Sequence, residues 1–178
     1  MGKTSIDNFI KIYMINSKAK DKTFEDFIKK HITTEYIDFI TKCVYCDSII
    51  KSTCYVKDGD KEFVKINSAN RYLFFVMRLL QLYTDLDINN ENPLDDYDRL
   101  NKVGAIETLL AAIPGSEYTE FSTLLNMKMD DFRDNEYSIT ALLYNLKQSF
   151  SLSAEVITEA LKSPEIKKLI KELQSKEN

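Results

Sequence analysis

The sequence contains few of the residues on which catalytic and cofactor sites depend. It has four glycines, three prolines, three cysteines, one histidine and no tryptophan. Four glycines leave little room for a glycine-rich phosphate loop, and Gly2-Lys3-Thr4 lacks the upstream glycine and strand of a P-loop. A histidine-based catalyst would have to use His31, which lies near the end of a short predicted helix, where a cation complements the helix dipole. We therefore predict no catalytic and no cofactor-binding residue.

The chain also lacks a long apolar run and a surplus of positive charge. Its most apolar stretch is interrupted by Arg71 and Arg78, and it is shorter than the roughly 20 residues that span a bilayer. The net charge of −4 disfavours direct nucleic-acid binding, which depends on lysine and arginine. Three cysteines, together with no apolar signal-peptide core near the N-terminus, indicate reduced thiols. We therefore expect a cytosolic location, with no membrane partner.

Apolar residues at helical spacing are what the chain does have. They make up 44% of the sequence, with 29% charged residues, as is typical of a soluble domain with a core. The densest segment, 67–87, predicts a central core helix capped by Ser68. Its expected apolar face consists of Tyr72, Phe75, Val76, Leu79, Leu80, Leu82 and Tyr83. A second helix is predicted to begin at Thr33 or Thr34, with an apolar stripe of Tyr36, Ile37, Ile40 and Val44.

One segment has the pattern of strands. The runs 53–56 and 63–66 are rich in β-branched and aromatic residues, and Asp58-Gly59 lies between them. Because Asp-Gly adopts positive φ at little cost, this pattern predicts a β-hairpin over about 52–66. Two strands alone are marginal in water. We therefore expect the hairpin to pack on the helices or to pair with a strand of a partner.

These patterns together predict a mainly α fold. We expect a compact multi-helix domain with one β-hairpin over residues 1–150, followed by a C-terminal helical extension over 151–178. Gly104 is predicted to end one helix in the left-handed conformation. The cap-then-proline pair Ser163-Pro164 predicts the start of the last helix. That helix either docks on the domain or projects as an arm. Its narrow apolar stripe consists of Ile166, Leu169, Ile170 and Leu173.

The cysteines form an incomplete zinc motif. Cys43 and Cys46 have CxxC spacing, Cys54 follows eight residues later, and His31 lies upstream. Four thiolate or imidazole ligands hold structural zinc, and the usual second pair is missing. A redox CxxC would follow a strand, whereas this one falls within a predicted helix. We predict that some of these cysteines are small core residues, and we keep a zinc site and a redox pair as alternatives.

An acidic loop resembles the first part of an EF-hand. Asp85, Asp87 and Asn89 stand at positions 1, 3 and 5, and Asp96 stands at position 12. Against calcium, the sixth residue is asparagine, the ninth is proline and the closing residue is an aspartate. A helix end, an exposed loop and an N-cap explain these residues more simply. We predict no metal site here.

Tyrosine is abundant, with ten copies. Some tyrosines fall off the apolar stripes, and tyrosine is favoured at protein interfaces and at the rims of helical cores alike. The sequence leaves these two roles open. The tyrosines expected at the surface are Tyr45, Tyr55, Tyr97 and Tyr137.

Four segments resemble an uncharacterised family of proteins from tailed phages and prophages of Gram-positive bacteria. They are SIDNFIKIY at 5–13, FIKKHITTEYIDFITKC at 27–43, NSANRYLFFVMRLLQLYTDLDI at 67–88 and EYTEFSTLLNMKMDDFRDNEYSITALL at 117–143. The resemblance implies a phage-encoded protein that acts in the bacterial cytoplasm or is incorporated in the virion. It carries over no catalytic residue.

From these features we predict a non-enzymatic phage protein that acts through protein–protein contacts. The leading expectation is a virion structural, connector or assembly component, whose partner is a phage structural protein or a second copy of the chain. The alternative is a host-directed inhibitor of the anti-defence or anti-CRISPR type, whose partner is a host defence protein.

Overall fold

Helices dominate the structure, which confirms the predicted mainly α class. The computed structural model describes residues 2–18, 22–58, 61–89, 92–137, 143, 159 and 161–168. The helices are α1 Ile6–Asn16, α2 Lys22–His31, α3 Phe39–Cys54, α4 Ser68–Tyr83, α5 Pro93–Lys102, α6 Ala105–Ala112 and α7 Gly115–Phe132. The strands are β1 Thr4–Ser5, β2 Tyr55–Asp58, β3 Lys61–Val64 and β4 Leu86–Asp87.

Helix α4 supplies a large part of the core, as its apolar spacing predicts. Its cap is Asn67, whose side chain accepts a hydrogen bond from the Asn70 backbone N–H at 3.0 Å, so the predicted cap Ser68 is wrong by one residue. Tyr72 is 56% exposed and is not part of the core. Complete burial of each large apolar side chain stabilises the fold by about 1.5–3 kcal/mol. The buried face consists of Phe75, Val76, Met77, Leu79, Leu80 and Tyr83.

The predicted hairpin is present as an antiparallel pair of β2 and β3, in which Tyr55 pairs with Val64 and Val56 with Phe63. It is attached to the helices on either side of it. The Lys65 N–H donates to the carbonyl of Cys54, the last residue of α3, at 2.8 Å. Of the predicted turn pair Asp58-Gly59, Asp58 lies at the end of β2 opposite Lys61, and position 59 lies outside the described residues.

A second strand pair was not predicted. Strand β1 lies parallel to β4, with Thr4 opposite Leu86. The Thr4 N–H donates to the Asp85 carbonyl at 2.7 Å. This contact attaches the start of the chain to the segment that follows α4. Two-residue strands are too short to produce a periodic pattern in the sequence.

Helix α3 begins later than predicted. The Asp38 side chain accepts a hydrogen bond from the Thr41 N–H at 2.9 Å, and Phe39 is the first helical residue. The predicted start at Thr33 or Thr34 is therefore wrong. Thr33 and Thr34 are acceptable cap residues by type, but Asp38 caps the helix instead. The consequence is that Tyr36 precedes the helix and does not lie on it.

The chain forms two units, Met1–Lys128 and Met129–Asn178. In the first, Gly104 has φ +74° between α5 and α6, as its predicted left-handed role requires. In the second, one π-helical turn spans Arg133–Tyr137. The Ser163 hydroxyl accepts a hydrogen bond from the Ile166 N–H at 3.2 Å at the predicted cap, and 164–168 are helical.

Two predictions on the C-terminal part fall largely outside the described residues. The first is the domain boundary between 150 and 151, which stays a prediction. The second is the apolar stripe of the last helix beyond Ile166, which consists of Leu169, Ile170 and Leu173.

Candidate interaction surface

Four large apolar side chains are exposed along the first half of α3 and just before it. We call them the α3 stripe: Tyr36 (66% exposed), Phe39 (55%), Ile40 (74%) and Val44 (59%). Three of them belong to the stripe that the sequence predicts, but they face outward. A cluster of exposed apolar residues is more informative than scattered single ones, because such clusters mark interaction sites.

A buried ion pair lies beneath the α3 stripe. Lys42 is completely buried, and its Nζ lies 2.9 Å from Glu117 Oε2 and also contacts Glu120. The same Glu117 oxygen accepts hydrogen bonds from Tyr83 Oη at 2.6 Å and from the Ile37 N–H at 3.0 Å. Glu117 therefore joins α7 to α3, to α4 and to the segment before α3. This network holds the backbone that carries the stripe.

The pKa shifts show which charges the network maintains. Burial by itself would lower the pKa of Lys42 and raise that of Glu117. The hydrogen bonds and the attraction between opposite charges together outweigh burial in both cases, so the Lys42 pKa is raised and the Glu117 pKa is lowered. Burial and the hydrogen bond to Glu117 both raise the pKa of Tyr83. At neutral pH the network thus consists of an ammonium, a carboxylate and a neutral phenol.

Tyr36 connects the stripe to this network. The Lys42 Nζ lies 5.3 Å from the centroid of the Tyr36 ring, a cation–π contact. One face of the ring therefore contacts a buried charge, while the side chain remains 66% exposed. A tyrosine held in this way presents a large apolar surface at a small entropic cost on binding.

The hairpin exposes a second apolar pair. Val56 is 44% exposed and Phe63 is 50% exposed, and they are cross-strand neighbours. Exposed strands of this kind can add a strand from a partner. Because only two residues contribute, this surface is smaller than the α3 stripe.

His31 forms a buried pair with an aspartate. Its Nδ1 lies 2.7 Å from Asp85 Oδ1, and Thr4 Oγ1 donates to the other Asp85 oxygen at 2.8 Å. The rings of Phe9 and Phe27 each pack edge-to-face with the imidazole, with centroids 5.0 and 4.8 Å away. The sequence places His31 at a helix end but gives no signal for Asp85, because the partner is 54 residues away. The pair ties the end of α2 to the segment after α4.

The three cysteines all lie within α3. The helical pattern predicts this for Cys43 and Cys46, whereas Cys54, predicted to lie in the first strand run, is the last residue of the helix. Cys46 and Cys54 are completely buried, whereas Cys43 is half-buried. Burial raises the pKa of the Cys46 thiol to about 12, so it is protonated at neutral pH. Among the described residues, no three histidine, cysteine, aspartate or glutamate side chains are placed to hold a metal ion.

The positions of the EF-hand-like loop have separate roles. Asp85 binds His31, and Asp87 is exposed on β4. Asp96 is buried in the first turn of α5 and accepts a hydrogen bond from the Asn89 N–H at 2.8 Å. The carboxylate oxygens of Asp85, Asp87 and Asp96 therefore do not converge on one position where a calcium ion could bind.

Three of the four tyrosines expected at the surface, Tyr45, Tyr55 and Tyr97, are half-buried. The side-chain exposure of the fourth, Tyr137, lies outside the described part of the chain. The most exposed described tyrosines are Tyr36 and Tyr72. The local signal for Tyr36 was the aspartate two residues later, which caps α3 and leaves the tyrosine outside it.

None of the described helices combines the length and the hydropathy needed to cross a membrane. In comparisons with known proteins, no family model matches the chain, and no curated protein or solved structure matches it.

Proposed function

We propose that this chain is a non-enzymatic phage protein that acts through protein–protein contacts, as a virion structural, connector or assembly component. The observation that carries the proposal is the α3 stripe, four apolar side chains exposed on a helix and on the segment before it. The phage setting comes from the resemblance of four segments to phage and prophage proteins.

The α3 stripe suits a docking surface because it is both apolar and rigidly held. Complete burial of one such side chain contributes about 1.5–3 kcal/mol. The Asp38 cap fixes the start of the helix, and Glu117 fixes the segment before it through the Ile37 N–H. A surface that is ordered before binding loses less entropy when the partner arrives. The stripe therefore fits an apolar groove or a second helix on the partner.

Four buried reactive groups support a non-enzymatic role, and three of them have a charged structural partner. Lys42 and Glu117 neutralise one another inside the fold, and His31 is buried against Asp85. The Cys46 thiol is buried and protonated at neutral pH. All four of these side chains are buried, so they are not open to a substrate.

The test combines particle composition with a matched pair of variants. Particles of the source phage or induced prophage are purified and analysed by quantitative mass spectrometry, with wild-type protein, Ile40→Glu or Ile15→Glu. Ile40 is 74% exposed in the α3 stripe, and Ile15 is 66% exposed on α1. Both variants receive the same charge at a similarly exposed isoleucine.

We expect a fixed copy number for wild type and for Ile15→Glu, and loss of the protein from particles for Ile40→Glu. Equal incorporation of both variants would refute the stripe as the docking surface. Loss with Ile15→Glu alone would assign docking to α1. If the wild-type protein is absent from particles but plentiful in infected cells, the chain is not a virion component. A pull-down from host cells would then test the alternative, a host-directed inhibitor.

A further inference from the structure

A groove of about 230 Å³ lies between α4 and α7, within the first unit. Its floor includes Phe75 and Leu125, which are both buried. Its rim includes Tyr72 and Tyr118, which are 56% and 37% exposed. The Tyr118 ring packs edge-on against Phe75, with centroids 5.6 Å apart, which orients that side of the rim. The groove is therefore apolar below and aromatic at its edges.

The charged group of the groove is Arg71, in the first turns of α4. Its Nη1 is buried and has no hydrogen-bond partner among the described residues. A guanidinium has only donors, so it requires an acceptor. A buried donor without an acceptor is destabilising, and such groups are rare unless a water, an ion or a ligand completes them. A ligand in the groove that supplies an acceptor would complete the hydrogen bonding of Arg71.

The lining selects a carboxylate among the common acceptors. Arg71 is the one basic side chain among the described residues of the groove, so a single negative charge matches it better than a phosphate dianion. Arginine binds carboxylates through two parallel hydrogen bonds. The Ser122 hydroxyl and the Asn126 amide also line the groove and can donate to a carboxylate.

The size of the groove favours a side chain of a protein over a free ligand. Pockets for drug-sized molecules have volumes of about 300–1,000 Å³, and this groove is smaller. It has room for one or two side chains, and its apolar floor and tyrosine rim match an apolar residue beside the acidic one.

We propose that the groove binds an acidic side chain of the protein partner, with the carboxylate on Arg71 and an adjacent aromatic or apolar side chain between Tyr72 and Tyr118. This inference rests on the proposed function, because the ligand belongs to a partner protein. It concerns a second site, on α4 and α7, in addition to the α3 stripe.

The test is an NMR titration of the full chain with N-acetyl-Phe-Glu-amide, followed through the Arg71 side-chain signal and the Ser122 amide signal. The matched peptide N-acetyl-Phe-Gln-amide has the same shape without the charge, and 3-phenylpropionate represents a free carboxylic acid. The variants are Arg71→Gln, Arg71→Lys and the control Arg78→Gln, which removes the same charge from α4 outside the groove. Melting temperatures are measured for all variants.

We expect saturable binding of the Glu peptide, at least about tenfold weaker binding of the Gln peptide, and a similar loss in Arg71→Gln. Arg71→Lys should retain part of the affinity, and Arg78→Gln should retain all of it. Arg71→Gln should not lower the melting temperature, because it removes an unsatisfied buried donor.

Three results would overturn the inference. They are no saturable shift with the Glu peptide, equal binding by Arg71→Gln, and binding of 3-phenylpropionate as strong as that of the peptide, which would identify a small-molecule site. The peptide titration does not depend on the α3 stripe. Binding in the groove without incorporation in particles would therefore refute the phage role alone, and incorporation without binding would refute the groove alone.

Discussion

The Nζ of Lys42 lies 2.9 Å from Glu117 Oε2, and the lysine side chain is completely buried. A buried ammonium loses its hydration, so it is tolerated only where a carboxylate and well-placed hydrogen bonds replace the water. Glu117 satisfies this condition because Tyr83 and the Ile37 N–H bind the same carboxylate. The ion pair thus fixes the place where α3, α4 and α7 meet the segment before α3.

Removal of one charge of this pair should destabilise the fold strongly. We expect Lys42→Met to lower the free energy of unfolding by about 3–5 kcal/mol, because Glu117 is left as an uncompensated buried carboxylate. Urea denaturation measures the effect. The double variant Lys42→Met/Glu117→Gln should lose less than the sum of the two single variants.

Lys128→Met is the control for this prediction. Lys128 forms an ion pair with Asp47 at 2.6 Å, but its side chain is 26% exposed. We expect a loss below about 1 kcal/mol, since solvent screens such pairs. Equal losses at Lys42 and Lys128 would contradict a special role for the buried pair.

The network should also give stability a defined dependence on pH. The pKa of Glu117 is lowered in the folded state, so its contribution is present above its unfolded pKa and is lost as pH falls through the folded pKa. The pKa values of Lys42 and Tyr83 are raised, so their contributions are present below about pH 10 and are lost as pH rises further. Urea unfolding from pH 3 to 11 measures both limits. Glu117→Gln should reduce the loss of unfolding free energy at acidic pH. An unchanged loss at acidic pH would contradict the role of Glu117 in this pH dependence.

Two isoleucines of α3 should respond oppositely to truncation. Ile49 is completely buried and Ile40 is 74% exposed. We expect Ile49→Ala to cost about 2–5 kcal/mol, because it leaves a cavity, and Ile40→Ala to cost less than about 0.5 kcal/mol. Thermal and urea unfolding provide the measurement. A large loss at Ile40 would show that this residue belongs to the core and not to a docking surface.

The thiols should differ in reactivity. Cys43 is half-buried, whereas Cys46 and Cys54 are buried, and the Cys46 pKa is raised to about 12. In native protein at pH 8, iodoacetamide should modify Cys43 first, and in urea all three should react. Mass spectrometry of the alkylated peptides identifies the sites. Rapid native labelling of Cys46, or stoichiometric zinc in the purified protein, would contradict this order.

Two glycines should respond with opposite signs to alanine. Gly104 has φ +74°, a conformation that an L-residue adopts at a cost of about 1–2 kcal/mol, so Gly104→Ala should destabilise the protein by about this amount. Gly115 starts α7 and has open space around an added Cβ, so Gly115→Ala should stabilise by about 0.4–1 kcal/mol. Differential scanning calorimetry compares the two. A stabilising Gly104→Ala would refute a structural need for glycine between α5 and α6.

The sequence by itself determined the elements whose signals are local. Helix α4 follows from an apolar period sustained over several turns, and the hairpin follows from two β-rich runs that flank Asp-Gly. The left-handed conformation of Gly104 and the cap at Ser163 are likewise local. These features depend on residues a few positions apart, so periodicity and capping chemistry are enough to predict them.

The tertiary structure decided which face of α3 is buried and which groups meet. The stripe of Ile40 and Val44 has the spacing of a core face, but packing on α4 and α7 buries the face of Cys46 and Ile49. Lys42 lies on that buried face, and its charge is matched by Glu117 and Glu120 of α7, 75 and 78 residues away. The His31–Asp85 pair and the Arg71 groove likewise join residues that are distant in sequence. Such contacts depend on how whole helices pack, and no short-range pattern encodes them.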